Sequence, residues 1–319
     1  MNTKKDSGRS WATVGSIGLA VTLALSACSG AGAQAIAGGA QTPGGAAAAS
    51  GVDTAAAAAL PAKYKDAGQI KVASDIPFPP MEMFDENQNL TGFDYDLAQV
   101  LGAKLGVRME LQKQAFDSVI PSLQSGKHDV IMSGMNDTPE RQKTIDFVDY
   151  FHAGFSILVT AGNPQKISTA LDLCGKEVAV QKATVQAEIL HGYDEQCTAK
   201  GPGPMRIAEL PLETDVQTAV RSGKAIADVV DSAVAAYSAK TAGNGTMFEV
   251  VRDSANPAGY SPVYTGIGVL QKDSELSKAL QLALQSAIDD GTYNKILQKY
   301  ALTDYAVDKA GINLGTAGS

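Results

Sequence analysis

Leu123-Gln124-Ser125-Gly126-Lys127 runs into Val130-Ile131-Met132, and Arg221-Ser222-Gly223-Lys224 runs into Val229-Val230. Each reads as a helix closed by a left-handed glycine just past its end, followed by an apolar strand. Eight residues beyond each glycine stand Gly134 and Asp231, so both are expected at strand C-terminal ends. Ligands of open α/β sheets gather at that edge, and two similar lobes would bring Gly134 and Asp231 across one cleft. The alternative is that Ser-Gly-Lys is a common helix terminator and the equal spacing is coincidence.

Around this pair the chain alternates strands and helices. A strand over 70–73 precedes Phe93, Leu97, Val100, Leu101 and Leu105 at helical spacing, then a strand over 107–111, a helix over 117–124 and a strand over 129–133. Thr138-Pro139-Glu140 reads as a helix start, with Thr as N-cap and Pro at the first helical position. Later strands are expected over 155–160, 178–181, 205–208, 226–230 and 266–270, and helices over 275–288 and 293–300. Such alternation predicts an α/β fold with mostly parallel sheets.

The chain has 319 residues, 45% hydrophobic, with a formal net charge of −8. That composition suits a folded chain long enough for two domains, and the acidic balance argues against nucleic acid as a partner. Lys4, Lys5 and Arg9 precede an apolar run from Trp11 to Leu25, the pattern of an export signal. The run ends in Leu25-Ser26-Ala27-Cys28, which resembles a bacterial lipobox, so residues 1–27 are expected to be removed and Cys28 lipidated. The alternative is an ordinary signal with an incidental cysteine. Residues 28–62, rich in Ala, Gly and Ser, read as the lipidated cysteine plus a tether, with folded chain from near Lys63. In an exported chain the even pair Cys174 and Cys197 is expected to form a disulfide, the alternative being two buried thiols. His128, His152 and His191 show no metal-ligand spacing, and neither a metal nor another cofactor is expected.

Several further stretches resemble family 3 of the bacterial extracellular solute-binding proteins. They are Val72-Ala73-Ser74-Asp75 with Pro77-Phe78-Pro79-Pro80, Leu90-Thr91-Gly92-Phe93-Asp94-Tyr95-Asp96-Leu97, Ser133-Gly134-Met135 with Thr138-Pro139-Glu140-Arg141 and Asp146-Phe147, Gly175-Lys176-Glu177-Val178-Ala179-Val180-Gln181, Asp231-Ser232, and Asp290-Gly291-Thr292-Tyr293. The resemblance spans nearly all of 63–303. It implies a two-lobed, type II periplasmic-binding-protein-like α/β fold, each lobe a mostly parallel sheet flanked by helices. Lobe 1 would comprise 63–158 plus 265–305 and lobe 2 159–264, with two crossings near 156–161 and 262–267 and a flexible tail over 306–319.

The resemblance also implies a function: a monomeric, membrane-anchored, outward-facing protein that binds an amino acid and delivers it to an ABC permease with its own ATPase subunits. Arg141 matches the family's carboxylate-binding arginine, Asp231 its ammonium-binding aspartate, and Gly134 would offer a carbonyl to the same ammonium. Thr184 would add anion contacts from the start of the following helix. Asp75, Phe78 and Phe116 match positions around the ligand side chain, and Gln181, in the strand before Thr184, is expected among the ligand-binding residues. Asp75 points toward arginine, lysine, ornithine, histidine or glutamine. Asn136, Ala183 and Ile226 depart from the family's usual residues, and Asn136 adds a donor and an acceptor to the cleft. Lys182 either reaches the cleft mouth, favouring an acidic ligand, or is solvated.

No Gly-x-x-x-x-Gly-Lys-Ser/Thr is present, so an ATPase would have to be a separate partner. Two other readings remain on this fold, a cyclohexadienyl-dehydratase-like enzyme and a sensory subunit. The enzyme needs a carboxyl group free to move a proton, whereas Asp75 and Asp231 are committed to ligand charge in the non-enzymatic reading.

Overall fold

A computed structural model describes residues 51–200, 202–252 and 259–315, without the side chains of 198–200. The signal, Cys28 and most of the expected tether lie outside the described residues. The first described elements are helices α1 (Thr54–Ala59) and α2 (Ala62–Ala67). They are followed by β1 (Gln69–Ser74), the hairpin β2 (Met83–Phe84) and β3 (Leu90–Thr91), and α3 (Phe93–Leu105). Next come β4 (Arg108–Lys113), α4 (Val119–Gln124), β5 (Val130–Ile131) and the long β6 (Ile145–Thr160). The second half adds β7 (Glu177–Gln181), α5 (Val185–Lys200), β8 (Arg206–Leu210), α6 (Glu213–Arg221), β9 (Ala227–Asp231), α7 (Ser232–Thr241) and β10 (Phe248–Val250). The chain returns through β11 (Tyr260–Leu270), α8 (Ser274–Asp289), α9 (Thr292–Tyr300) and β12 (Gly311–Ile312).

Two parallel groups make up the main sheet. β1 lies between β4 and β5, and β7 between β8 and β9, all parallel. Between the groups run β6 and β11, antiparallel to each other and to the flanking β9 and β5. Gly126 and Gly223 both have φ 75°, the left-handed closure expected of them.

β6 is buried along nearly its whole length because it serves both halves. Its Phe155 pairs with both Tyr260 of β11 and Asp231 of β9. On β6 the pairing changes from β11 to β9 at about Ala153–Phe155, and on β11 it is interrupted between Tyr260 and Val263. Cys174 and Cys197 form a disulfide within a second-half cluster that includes Leu173, Val178, Val180 and Leu190. Closing a loop of this size is worth about 3 kcal/mol.

Three expectations are corrected. Folded chain begins before Lys63: the Asp53 side chain caps α1 by accepting from the Ala55 and Ala56 N–H groups, and Ala56 and Leu60 are buried. Tertiary packing supplies what a run of five alanines cannot. The helix expected after Thr138 is only a 3-10 turn, Arg141–Lys143. Thr138 does accept from the Arg141 N–H, but Glu140-Arg141-Gln142-Lys143 has no apolar face to bury and the chain turns into β6. Finally, the stretch expected as a flexible tail contains β12, paired with β6.

Candidate functional site

The C-terminal ends of β1, β5, β7 and β9 converge on one narrow cavity. Asp75, Phe78, Phe116, Gly134, Asn136, Gln181, Thr184 and Asp231 all line it. Arg141 stands at its edge, its guanidinium 5.7 Å from the Phe116 ring centroid and donating to the carbonyls of Asn136 (2.8 Å) and Ala183 (3.1 Å).

Gly134 is dictated by its backbone. Its φ is 54°, and an added Cβ would stand 2.8 Å from Phe78. Its N–H donates to buried Asp94 (2.8 Å), Ser133 Oγ donates to buried Glu82 (2.7 Å), and the Asp75 N–H donates to Ser133 Oγ (2.8 Å). These bonds tie the ends of β1 and β5 together beneath the cavity.

Asp231 occupies the N-cap position of α7 but makes no capping hydrogen bond with its side chain. Its carboxylate instead accepts from Gln186 Nε2 (3.1 Å) and Asn136 Nδ2 (3.5 Å). Burial raises its pKa to about 7 despite those donors and nearby Arg141. Burial also raises Asp75 to about 6, against the opposing effect of Gln181, whose Nε2 donates to it at 2.6 Å. The other Asp75 oxygen, Oδ1, is buried with no hydrogen-bond partner among the described residues. Desolvation lowers Arg141 to about 10, so it remains cationic at neutral pH.

Thr184 Oγ1 accepts from the Ala187 N–H (3.2 Å), capping α5 so that its first turn opens on the Arg141 side of the cavity. Lys182 forms an ion pair with Asp117 at 2.6 Å. Both partners are partly exposed, and such pairs contribute roughly 0–1 kcal/mol.

The sequence reading missed Ser133, Gln186 and Glu213, which also line the cavity. Extending the strand-edge rule would have found them, since Ser133 follows β5, Gln186 sits in the first turn after β7, and Glu213 opens the helix after β8. Glu213 and Asp228 are buried together, and burial raises both, Asp228 to about 7. Among the described residues no group of three His, Cys, Asp or Glu side chains is placed to hold a metal, and no helix is long and apolar enough to cross a membrane.

The arginine-binding protein ArgT of Corynebacterium glutamicum is 30% identical over 259 residues, 80% of this chain and 82% of the relative. An ancestral arginine-binding protein solved with arginine is 35% identical, with TM-score 0.65 over 73% of this chain and 98% of that one. The ancestral amino-acid-binding protein AncCDT-1, described as a precursor of cyclohexadienyl dehydratase, is 34% identical, with TM-score 0.66 over 75% of this chain and 97% of that one. These similarities show the type II periplasmic-binding-protein fold. The model of family 3 covers residues 70–303, and the chain belongs to the bacterial extracellular solute-binding proteins of family 3.

Proposed function

We propose that this protein binds an L-amino acid with a cationic or amide side chain between its two halves and delivers it to an ABC permease. The carrying observation is that groups complementary to each end of such a molecule line one cavity or, as Arg141, stand at its edge. Arg141 and the α5 N-terminus suit the carboxylate. Asp231, with the Gly134 carbonyl, suits the ammonium. Asp75, lining the same cavity as Phe78 and Phe116, suits a cationic or amide tip, and Gln181 already donates to it. A zwitterion taken out of water must have both charges met. The names of the relatives, arginine-binding among them, support the same ligand class.

The chain acts as a monomer held outside the cell by lipid on Cys28. A melting screen over amino acids tests the binding reading. L-Arginine, L-lysine or a related solute should raise the melting temperature, and Arg141→Ala should abolish most of the rise; an unchanged rise would refute the carboxylate role.

The raised pKa of Asp231 also favours a second reading, acid–base catalysis on prephenate or arogenate. Against it, both Asp231 oxygens are engaged by amide donors. Turnover of either compound would overthrow the binding-only account.

A further inference from the structure

The segment carrying Asn136 and Arg141 has little regular structure of its own, a single 3-10 turn over Arg141–Lys143. On one side β11 holds it, through a bridge between Asn136 and Thr265 and the Asp137 N–H donating to the Tyr264 carbonyl (2.7 Å); on the other, support comes from beyond the family match, which ends at 303. After β12 pairs with Val148 and Asp149 of β6, Asn313 continues the pairing with both backbone and side chain. Its N–H donates to the Phe147 carbonyl (3.0 Å), its Oδ1 accepts from the Phe147 N–H (2.8 Å), and its Nδ2 donates to Asp146 (3.0 Å). The Leu314 N–H then donates to buried Asp149 (2.9 Å) and the Gly315 N–H to buried Asp137 (2.7 Å). Gln142 Nε2 closes the set, donating to Asp137 Oδ1 (2.7 Å) and to the Gly315 carbonyl (2.8 Å).

Asp137 directly follows Asn136, whose carbonyl accepts from Arg141 and whose amide reaches Asp231 and Thr265. Gln142 directly follows Arg141. Both flanks of the cleft segment are therefore fastened to the same short strap. The approach is close: a Cβ on Gly315 would stand 2.3 Å from the Asp137 carbonyl oxygen and 2.8 Å from its Cγ.

We infer that residues 311–315 are positioning residues for the ligand site, a strap that fixes Asn136 and Arg141 by clamping Asp137 and Gln142. This rests on the ligand roles proposed above for that segment. A strap serving only stability would lower the melting temperature and leave affinity unchanged well below it. A positioning strap changes affinity itself, since misplacing charge-assisted contacts weakens them steeply.

The test is calorimetric titration of the full chain with L-arginine at 15 °C, with the melting temperature of each ligand-free variant recorded alongside. Gly315→Ala, and a chain ending at Ala310, should each weaken the dissociation constant at least tenfold. Asp149→Ala should do so as well, whereas Asp149→Asn, which keeps an oxygen to accept from Leu314, should stay within about threefold of the parent. If a variant does not fold, Asn313→Ala, which loosens the strap only on β6, reads the same effect. Unchanged affinity in the folded variants would overturn the strap's positioning role. Arg141→Ala separates the two claims: if it too binds normally, the site reading fails, and if it alone loses binding, only the strap proposal fails.

Discussion

Replacing Asp231 by Asn should push the free protein and its complex in opposite directions. In the fold the Asp231 carboxyl titrates at about 7, against a reference of 3.8 for Asp, because it is buried. Above pH 7 the native state thus carries an ionised group that the unfolded chain accommodates more easily, a cost of at most about 4 kcal/mol. Asn removes the charge while its Oδ1 keeps one of the two amide donors, so a gain of about 1–2 kcal/mol is expected at pH 8. At about 2–4 °C per kcal/mol that is a rise of about 2–8 °C in melting temperature without ligand. The gain should shrink as pH falls below about 7 and be mostly gone near pH 4, where Asp231 is protonated in the fold and partly protonated when unfolded.

Ligand binding should respond the other way. Losing the carboxylate partner of a buried ammonium costs about 2–5 kcal/mol, a weakening between about 30-fold and several thousand-fold. Scanning calorimetry at pH 4 and 8, with a titration at pH 8, reads both effects. A variant less stable at pH 8 with parental affinity would show that Asp231 is a structural residue and refute the reasoning.

The pH dependence of the unaltered protein follows from the same shifts. Asp75 and Asp94 are raised to about 6, Asp228 and Asp231 to about 7, and Asp149 to about 8. The native state therefore holds more protons than the unfolded chain between about pH 4 and 8, and these groups make the ligand-free protein lose stability as pH rises through that window. Melting curves at fixed salt would show it, and a stability maximum at pH 8 would contradict it. Affinity for an amino acid should instead rise with pH up to about 7 and then level, because a protonated Asp231 must release its proton to meet an ammonium. Reducing the Cys174–Cys197 bridge, or changing both residues to Ala, should cost about 3 kcal/mol in denaturant unfolding without changing ligand preference. Asp75→Asn should weaken L-arginine by at least tenfold and L-glutamine by less than threefold; equal losses would remove Asp75 from side-chain recognition.

The parts of the fold legible in the sequence are those with a local signature. Gly126 and Gly223 announced helix ends, the strands after them were plainly apolar, and placing Gly134 and Asp231 at strand ends needed only that pattern. Less legible was whatever depended on a distant partner. Thr138 and Pro139 signal a helix start, but helix length depends on an apolar face, which that segment lacks. Alanines 55–59 are helical because Asp53 caps them and Ala56 and Leu60 are buried in the core. Residues 311–315 carry no strand signal, and their order comes from β6 and from two buried carboxylates far back in the chain. In the site, residue types announce charge complementarity, whereas Gln186 and Glu213 are marked only by following the ends of β7 and β8, since a polar residue in a first helical turn is commonplace.

Calorimetric titration of the chain with L-arginine, its decarboxylated analogue agmatine and its analogue lacking the α-amino group tests the central claim most directly. The account predicts saturable one-to-one binding of L-arginine or another L-amino acid of its class, and at least a 100-fold loss when either the carboxylate or the ammonium is missing. Equal affinity for all three compounds, or no binding by any amino acid of the class, would contradict it.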